Sequence, residues 1–214
     1  MNVRTTVLLV DDHSVVREGY RRLLEVGGGI AVVGEAACAT EAYQMFCSLM
    51  PDVAVMDIAL PGVSGIEALR RIIAHEPKAR VLMFSMYEDA IFARRALEAG
   101  AAGYLTKAAA PRVLVEAVAS VASGRRFLSP DVAHTLALQP LSTARATHDL
   151  LSAREFEVLK LLADGCALNE IAQQLNLNPK TVANHQSSIR QKLGADSGTQ
   201  LLRAAIRLGL VPPF

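Results

Sequence analysis

Four short apolar runs, each followed directly by a polar residue, constrain the fold of this chain more than any other feature. Such runs are typical of buried parallel strands in an α/β sheet, and ligands of these sheets bind where the carboxyl ends of the strands meet. The runs are residues 7–10 before Asp11 and Asp12, 53–56 before Asp57, 81–84 before Ser85, and 103–106 before Lys107. The sequence therefore places three carboxylates, one hydroxyl and one ammonium at a single edge of a sheet.

Longer amphipathic stretches separate these runs and indicate helices between the strands. We expect helices near 14–26, 39–49, 64–75, 88–99 and 111–123. Five strand–helix units predict an α/β doubly wound, five-stranded parallel sheet of order 2-1-3-4-5, with helices on both faces. In that order the first and third strands are neighbours, so Asp11, Asp12 and Asp57 should meet.

The residue types at this edge fit phosphoryl transfer assisted by Mg²⁺. Crowded carboxylates repel one another unless a cation lies among them, and Mg²⁺ binds one or two carboxylates together with phosphate oxygens. An aspartate can form an aspartyl-phosphate, whose charge a metal, a lysine and a hydroxyl can stabilise. The alternative, ordinary polar residues at the strand ends of another doubly wound protein, is disfavoured because all four strand ends carry a suitable residue.

The second half of the chain has the pattern of a small all-α domain. Ser152 and Glu155 form a capping box before an apolar helix that should end at Gly165. Further helices are expected near 169–175, from Asn178 and Pro179 to about Leu193, and near 199–208. Short helices joined by a tight turn are typical of a helix-turn-helix.

One face of the helix that starts at Pro179 carries side chains suited to DNA. Val182, Ile189 and Leu193 share the opposite, apolar face. Amides and hydroxyls can bond base edges, and cations can contact phosphates. Residues 176–214 carry five basic side chains and one acidic, whereas residues 1–130 carry fourteen of each. The candidate DNA contacts are Lys180, Thr181, Asn184, Ser187, Ser188, Arg190, Gln191 and Lys192. A merely solvated helix face is the alternative.

The remaining composition sets the domain boundaries and the compartment. Hydrophobic residues make up 51% of the chain and charged residues 20%, which indicates a folded protein. No apolar run is long enough for a membrane helix, and the three cysteines suit a reducing compartment. We expect a cytoplasmic protein with a first domain at 1–125, a linker with a short helix at 126–148, and a second domain at 149–214.

The first domain resembles the receiver domain of two-component response regulators. The motifs that carry the resemblance are residues 7–13, 57–62 and 100–107. The resemblance implies that Asp57 accepts a phosphoryl group and that Asp11, Asp12, Asp57 and the backbone carbonyl of Ala59 bind Mg²⁺. It also implies that Ser85 and Lys107 contact the phosphoryl oxygens and that Tyr104 is the switch aromatic.

The second domain resembles the LuxR-type helix-turn-helix, so the whole chain resembles a NarL/FixJ-type response regulator. Residues 151–159, 169–172 and 180–185 carry this match. It implies a phosphorylation-activated transcription regulator that is not itself an enzyme. The implied partners are a sensor histidine kinase, a roughly palindromic double-stranded DNA site, RNA polymerase, and a second copy of the chain in a homodimer formed on activation. Many family members carry lysine where this chain has Ala183, so the DNA sequence that relatives prefer does not carry over.

The rival hypothesis is an interaction module that takes phosphate only as a sink or relay, or that binds proteins without phosphate. The basic recognition helix argues against the first form and the complete acidic edge against the second. An autoinducer-binding LuxR regulator does not fit, because a phosphate-handling edge stands where the ligand-binding domain would be.

Overall fold

The computed structural model describes residues 4–87, 90–138, 151–208, 210 and 211. The chain divides into two compact units between residues 137 and 138. Of the linker that the sequence predicted at 126–148, residues 139–148 lie outside the described residues.

The first unit is built on a parallel sheet of order β2-β1-β3-β4-β5-β6. The predicted order of the first five strands is confirmed, but the predicted count of five is wrong. The strands are β1 (Thr5–Val10), β2 (Ile30–Ala36), β3 (Val53–Met56), β4 (Val81–Ser85), β5 (Gly103–Thr106) and β6 (Phe127–Leu128).

The additional strand β6 lies at the edge of the sheet beside β5, with Phe127 opposite Gly103. A Cβ atom at Gly103 would come within 2.6 Å of the Phe127 carbonyl oxygen, so glycine permits this close approach. Two residues are too few to show a strand pattern in the sequence, which is why β6 was missed.

Helices alternate with these strands as predicted, and they cover both faces of the sheet. Helix α1 contacts α5 on one face, whereas α2 contacts α3 and α3 contacts α4 on the other. The helices are α1 (Ser14–Glu25), α2 (Ala39–Leu49), α3 (Gly65–His75), α4 (Ala90–Glu98), α5 (Pro111–Ala122) and α6 (Pro130–Leu138). The short helix that the sequence predicted in the linker at 126–148 is observed as α6.

The inner strands β3, β4 and β5 are buried at every residue, as expected of a parallel sheet between two helix layers. Val7 and Leu9 of β1 pack with Leu24 of α1 and Val118 of α5, and Leu8, whose side chain points to the opposite face, is fully buried as well. Each such aliphatic side chain contributes about 1.5–3 kcal/mol on burial. The sheet is therefore a rigid platform for the residues at its carboxyl edge.

The second unit contains the helices that the sequence predicted. Ser152 and Glu155 form the expected capping box, Gly165 follows the first helix with a φ of +89°, and the Asn178 side chain accepts a hydrogen bond from the Lys180 amide. The helices are α7 (Ala153–Ala163), α8 (Leu168–Gln174), α9 (Pro179–Leu193) and α10 (Gly198–Arg207). Helix α7 packs against α8, α9 and α10.

Among the described residues, no helix is both long enough and apolar enough to cross a membrane.

Candidate functional site

The predicted polar residues of the first unit lie at the carboxyl ends of strands that are neighbours in the sheet. Val10 of β1 lies opposite Met56 of β3, so Asp11 and Asp57, the next residues, leave the sheet side by side. Ser85 ends β4 opposite Thr106 of β5. The strand order thus places Asp11, Asp57, Ser85 and Lys107 along one edge, in that order.

Lys107 connects two of the predicted carboxylates. Its Nζ atom lies 2.5 Å from Asp11 Oδ2 and 2.5 Å from Asp57 Oδ2. The side chain of Lys107 is 8% exposed, that of Asp11 2% and that of Asp57 4%, so this ion-pair cluster is buried. We call Asp11, Asp12, Asp57 and Lys107 the acid pocket. Charges held so close in a medium of low dielectric interact far more strongly than they would in water.

Burial and charge act on the acid pocket in opposite directions. Burial raises the pKa of the Asp57 carboxyl, and the charge of Lys107 offsets only part of that rise. Burial would lower the pKa of Lys107, but attraction to Asp57 and hydrogen bonds to both carboxylates raise it overall. Lys107 therefore keeps its proton and its charge at neutral pH.

Asp12 has an oxygen that a cation could use. Its Oδ1 atom is buried and makes no hydrogen bond to any described residue, although it lies 2.7 Å from His13 Nδ1, where a protonated imidazole would form an ion pair. Asp11, Asp12 and His13 have ligand atoms within 4.8 Å of one another. The carboxylate oxygens of Asp11 and Asp12, one of them buried and still available, fit a small divalent cation, and His13 adds a nitrogen beside them.

The chain after Asp57 folds tightly back over it. The Asp57 Oδ1 atom accepts a 3.3 Å hydrogen bond from the Ala59 amide, and the Gly65 amide donates to the Ile58 carbonyl. A Cβ atom at Gly65 would lie only 1.8 Å from the Asp57 carbonyl oxygen. Glycine is therefore required where α3 begins, because any side chain there would displace Asp57.

Ser85 and Tyr104 are joined through Tyr87, a residue that the sequence analysis did not identify. Both predicted residues are fully buried. The Tyr104 hydroxyl donates to the Tyr87 carbonyl at 2.7 Å, and the Tyr87 amide donates to Ser85 Oγ at 3.3 Å. The Tyr87 ring stacks on Phe92 of α4, with ring centroids 4.1 Å apart. A shift of Ser85 would therefore displace Tyr87 and alter its contact with Phe92 of α4.

In the second unit, part of the predicted DNA face of α9 is exposed. Lys180, Asn184, Ser187 and Gln191 are exposed and recur at helical spacing along one side. We call these four residues the exposed stripe. Thr181 and Arg190 are half-buried beside it, and Val182 and Ile189 are fully buried on the opposite side.

Two of the predicted DNA contacts, Ser188 and Lys192, turn instead towards α7. Ser188 Oγ donates to Glu155 Oε1 at 2.6 Å, and Lys192 Nζ lies 2.8 Å from Oε1 and 2.6 Å from Oε2 of the same carboxylate. The placement of Ser188 on the outward face was therefore wrong, whereas Lys192 is exposed but paired with Glu155. The physical reason is that one buried carboxylate on α7 attracts the nearest hydroxyl and ammonium of α9.

Glu155 thus fastens two helices as well as capping one. Its carboxylate also accepts a 2.7 Å hydrogen bond from the Ser152 amide. Burial opposes the charge of Glu155, but the bonds from Lys192, Ser188 and Ser152 outweigh it and lower its pKa to about 2. The capping box was visible in the sequence. The second role would have been suggested by the spacing of Ser188 and Lys192, which places both on one helix face.

The two units each match a protein-family model. The model for the response regulator receiver domain matches residues 7–119, and the model for bacterial regulatory proteins of the luxR family matches residues 149–205. The response regulator UvrY of Escherichia coli (strain K12) is 39% identical over 206 residues, which cover 95% of this chain and 94% of UvrY.

Solved structures show the same likeness. A two-component response regulator of the LuxR family from Aurantimonas sp. SI85-9A1 has a TM-score of 0.62 and 50% identity, covering 63% of this chain and 96% of that one. A structure of two RcsB dimers bound to two parallel DNAs has a TM-score of 0.61 and 29% identity, covering 96% of this chain and all of that one. The second likeness extends over both units.

Proposed function

Because the chain belongs to the family of two-component response regulators that join a receiver domain to a LuxR-type DNA-binding domain, we propose that phosphoryl transfer to Asp57 controls its binding to DNA. The family consists of transcription regulators, and this chain is one of them. The observation that carries the proposal is the buried contact of Lys107 with both Asp11 and Asp57 at the carboxyl edge of the sheet.

Asp57 is better placed than Asp11 to act as the nucleophile, and the buried Oδ1 atom of Asp12 is assigned to the ion. Both oxygens of Asp11 are engaged at short distance, by the His13 amide and by Lys107, whereas Asp57 Oδ1 accepts only the long bond from Ala59 among the described residues. An oxygen of Asp57 attacks the phosphorus of a phosphohistidine on a sensor kinase. The phosphorus–nitrogen bond breaks and the imidazole leaves, so that the chain serves as the kinase's substrate and not as an enzyme.

The residues of the acid pocket fit Mg²⁺, since Asp12 offers a buried oxygen without a hydrogen bond to a described residue. The proposed ligands are Asp11, Asp12, Asp57 and the backbone carbonyl of Ala59. When bound, Mg²⁺ supplies positive charge that stabilises the phosphoryl oxygens. Lys107 supplies a second positive charge, and the Ser85 hydroxyl donates a hydrogen bond to a phosphoryl oxygen.

The Ser85–Tyr87–Tyr104 connection carries the signal away from Asp57. Ser85 moves towards the phosphoryl group, and its bond to the Tyr87 amide lengthens. The Tyr104 hydroxyl and the Phe92 ring both hold Tyr87, so the change reaches Tyr104 and α4. Two alternative arrangements of this buried set would provide the two states that a switch requires.

The second domain binds DNA through α9. Asn184 and Ser187 of the exposed stripe contact base edges, while Lys180 and Arg190 contact phosphates. The likeness to RcsB, whose dimers were solved on DNA, supports a homodimer on a roughly palindromic site. A regulator of this kind works in the cytoplasm beside RNA polymerase.

Phosphodonor labelling tests the proposed acceptor. The full chain is incubated with Mg²⁺ and acetyl phosphate, and intact-protein mass spectrometry is expected to show one added phosphoryl group. Asp57→Asn should abolish the addition, whereas Asp52→Asn, which alters an aspartate bonded to Thr6 away from the acid pocket, should leave it unchanged. Labelling that persists in Asp57→Asn would exclude Asp57 as the acceptor.

A further inference from the structure

Arg17 of α1 reaches from the helix to the backbone of the acid pocket. Its Nη1 atom donates to the Asp11 carbonyl oxygen at 2.5 Å, and its Nε atom donates to Glu35 Oε2 of β2 at 3.3 Å. The Arg17 side chain is 16% exposed. A single planar guanidinium therefore joins the polypeptide at the acid pocket to a fixed point on the sheet.

The carbonyl that Arg17 holds lies where β1 leaves the sheet. The Asp11 amide still donates to the Ala36 carbonyl of β2, but Asp11 follows the last residue of β1. The peptide unit that contains the Asp11 carbonyl also contains the Asp12 amide, and a peptide unit is rigid and planar. Fixing this carbonyl therefore fixes the end of Asp11 and the start of Asp12, the backbone from which both carboxylates project.

Glu35 is held firmly enough to serve as the anchor. Its Oε1 atom lies 2.9 Å from Arg21 Nη1, so its two oxygens are divided between Arg17 and Arg21. Arg21 also lies 3.5 Å from Glu25, which in turn accepts a hydrogen bond from the Val32 amide of β2. Helix α1 and strand β2 are thus fastened together, and of the two arginines it is Arg17 that bonds the acid pocket.

We propose that Arg17 is a positioning residue for the cation site, acting by holding the Asp11–Asp12 peptide so that both carboxylates face the ion. This inference rests on the proposed function, because it assumes that Mg²⁺ binds in the acid pocket. Arg17 bonds the Asp11 backbone carbonyl and Glu35, so it would act through the peptide and not as a ligand. Lysine cannot replace it, because a single ammonium lacks the forked donors that reach a carbonyl and a carboxylate at once.

The test compares Mg²⁺ affinity in the unphosphorylated full chain by isothermal titration calorimetry. Residues that orient metal ligands typically change affinity by about 10- to 100-fold when replaced. Arg17→Ala and Arg17→Lys are therefore expected to weaken Mg²⁺ binding by at least about tenfold. Arg21→Ala is the matched control, since it removes the same charge and a bond to the same Glu35 carboxylate, and it should bind Mg²⁺ within about twofold of the unmodified chain.

Thermal melts without Mg²⁺ separate positioning from folding. Arg17→Met, which keeps the packed stem of the side chain, replaces Arg17→Ala if the alanine variant melts much earlier, and it should show the same loss of affinity. Arg17 variants that bind Mg²⁺ as tightly as the unmodified chain, or an Arg21→Ala that loses as much affinity as they do, would overturn the inference. If the unmodified chain itself binds no Mg²⁺ and takes no label at Asp57, the proposed function fails instead.

Discussion

At the scale of single residues, Lys107 sets the charge balance of the acid pocket. Its ammonium contacts Asp11 and Asp57, both nearly inaccessible to water. Removing one member of a buried ion pair leaves charges uncompensated, which costs about 3–5 kcal/mol. A divalent cation bound among the same carboxylates would compensate that loss, because it supplies the missing positive charge.

We therefore predict that Lys107→Met lowers the melting temperature strongly without Mg²⁺ and much less at saturating Mg²⁺. The rise in melting temperature caused by Mg²⁺ should be larger in the variant than in the unmodified chain, since stabilisation by a ligand follows its affinity for the folded state. Lys78→Met, at an exposed site, is the control and should respond as the unmodified chain does. Equal Mg²⁺ effects in Lys107→Met and the unmodified chain would show that Lys107 does not balance these carboxylates.

Glu155 gives rise to a second prediction, in the second domain. Its hydrogen bonds lower its pKa to about 2 from the ordinary value of 4.5. A carboxyl whose pKa falls on folding stabilises the folded state above its unfolded pKa, and this contribution is lost as the pH falls towards the folded value. Glu155→Gln should therefore reduce the opening free energy of α7 and α9 by roughly 2 kcal/mol at neutral pH. The difference between the two proteins should shrink below about pH 4.5.

Hydrogen exchange measured by mass spectrometry over α7 and α9 checks this prediction within the second domain. Glu170→Gln is the matched control. Glu170 also accepts a hydrogen bond from the backbone amide at the start of its own helix, that of Ala167, but it makes no hydrogen bond to another helix among the described residues. Protection of α9 that is independent of pH in this range, or equally reduced in both variants, would contradict the role of Glu155.

At the scale of elements, the sequence predicts well what depends on local pattern. The apolar runs gave β1, β3, β4 and β5, and the capping residues Ser152 and Asn178 gave the starts of α7 and α9. These strands and helix starts depend only on residues that are close together in the sequence. Strand β6 was missed because two residues hold no periodicity, and its partner Gly103 makes room for it only in the folded sheet.

What depends on contacts between elements was harder to predict. The strand ends located Asp11, Asp57 and Lys107, because parallel strands end at a common edge. The contacts of Arg17 with Asp11, and of Tyr87 with Tyr104, join residues whose pairing no spacing rule indicates. Ser188 was placed on the wrong face because its partner Glu155 lies on another helix, although its spacing from Lys192 puts both side chains on one side of α9.

The two lysines of α9 should behave differently on DNA. Lys180 is exposed within the stripe, whereas Lys192 is paired with Glu155. Lys180→Ala should weaken binding to all sequences alike and reduce the slope of log affinity against log salt by about one unit, because one phosphate contact is lost. Lys192→Ala should change that slope much less and should instead reduce the protection of α9 from exchange.

Titrations of a DNA duplex at several salt concentrations distinguish the two lysines. If Lys192→Ala reduces the slope of log affinity against log salt as much as Lys180→Ala does, Lys192 also contacts a phosphate. Its ion pair with Glu155 would then have to open when the chain binds DNA.

At the scale of the whole molecule, the chain joins a receiver domain to a LuxR-type DNA-binding domain. Each has its own compact unit, and the family places both in one transcription regulator. The acid pocket would receive the phosphoryl group, and the exposed stripe would bind DNA. The central claim is that occupancy of Asp57 changes the affinity of the second domain for DNA.

The most direct test is DNA binding by the full chain with and without phosphorylation. Duplexes are first selected from a random pool with the chain kept phosphorylated by acetyl phosphate and Mg²⁺, and the preferred duplex is then titrated with both forms. We predict that phosphorylation tightens binding by at least about tenfold, a typical allosteric coupling, and that Asp57→Asn shows no such change. Equal affinity of the fully phosphorylated and unphosphorylated chains for that duplex would contradict this prediction.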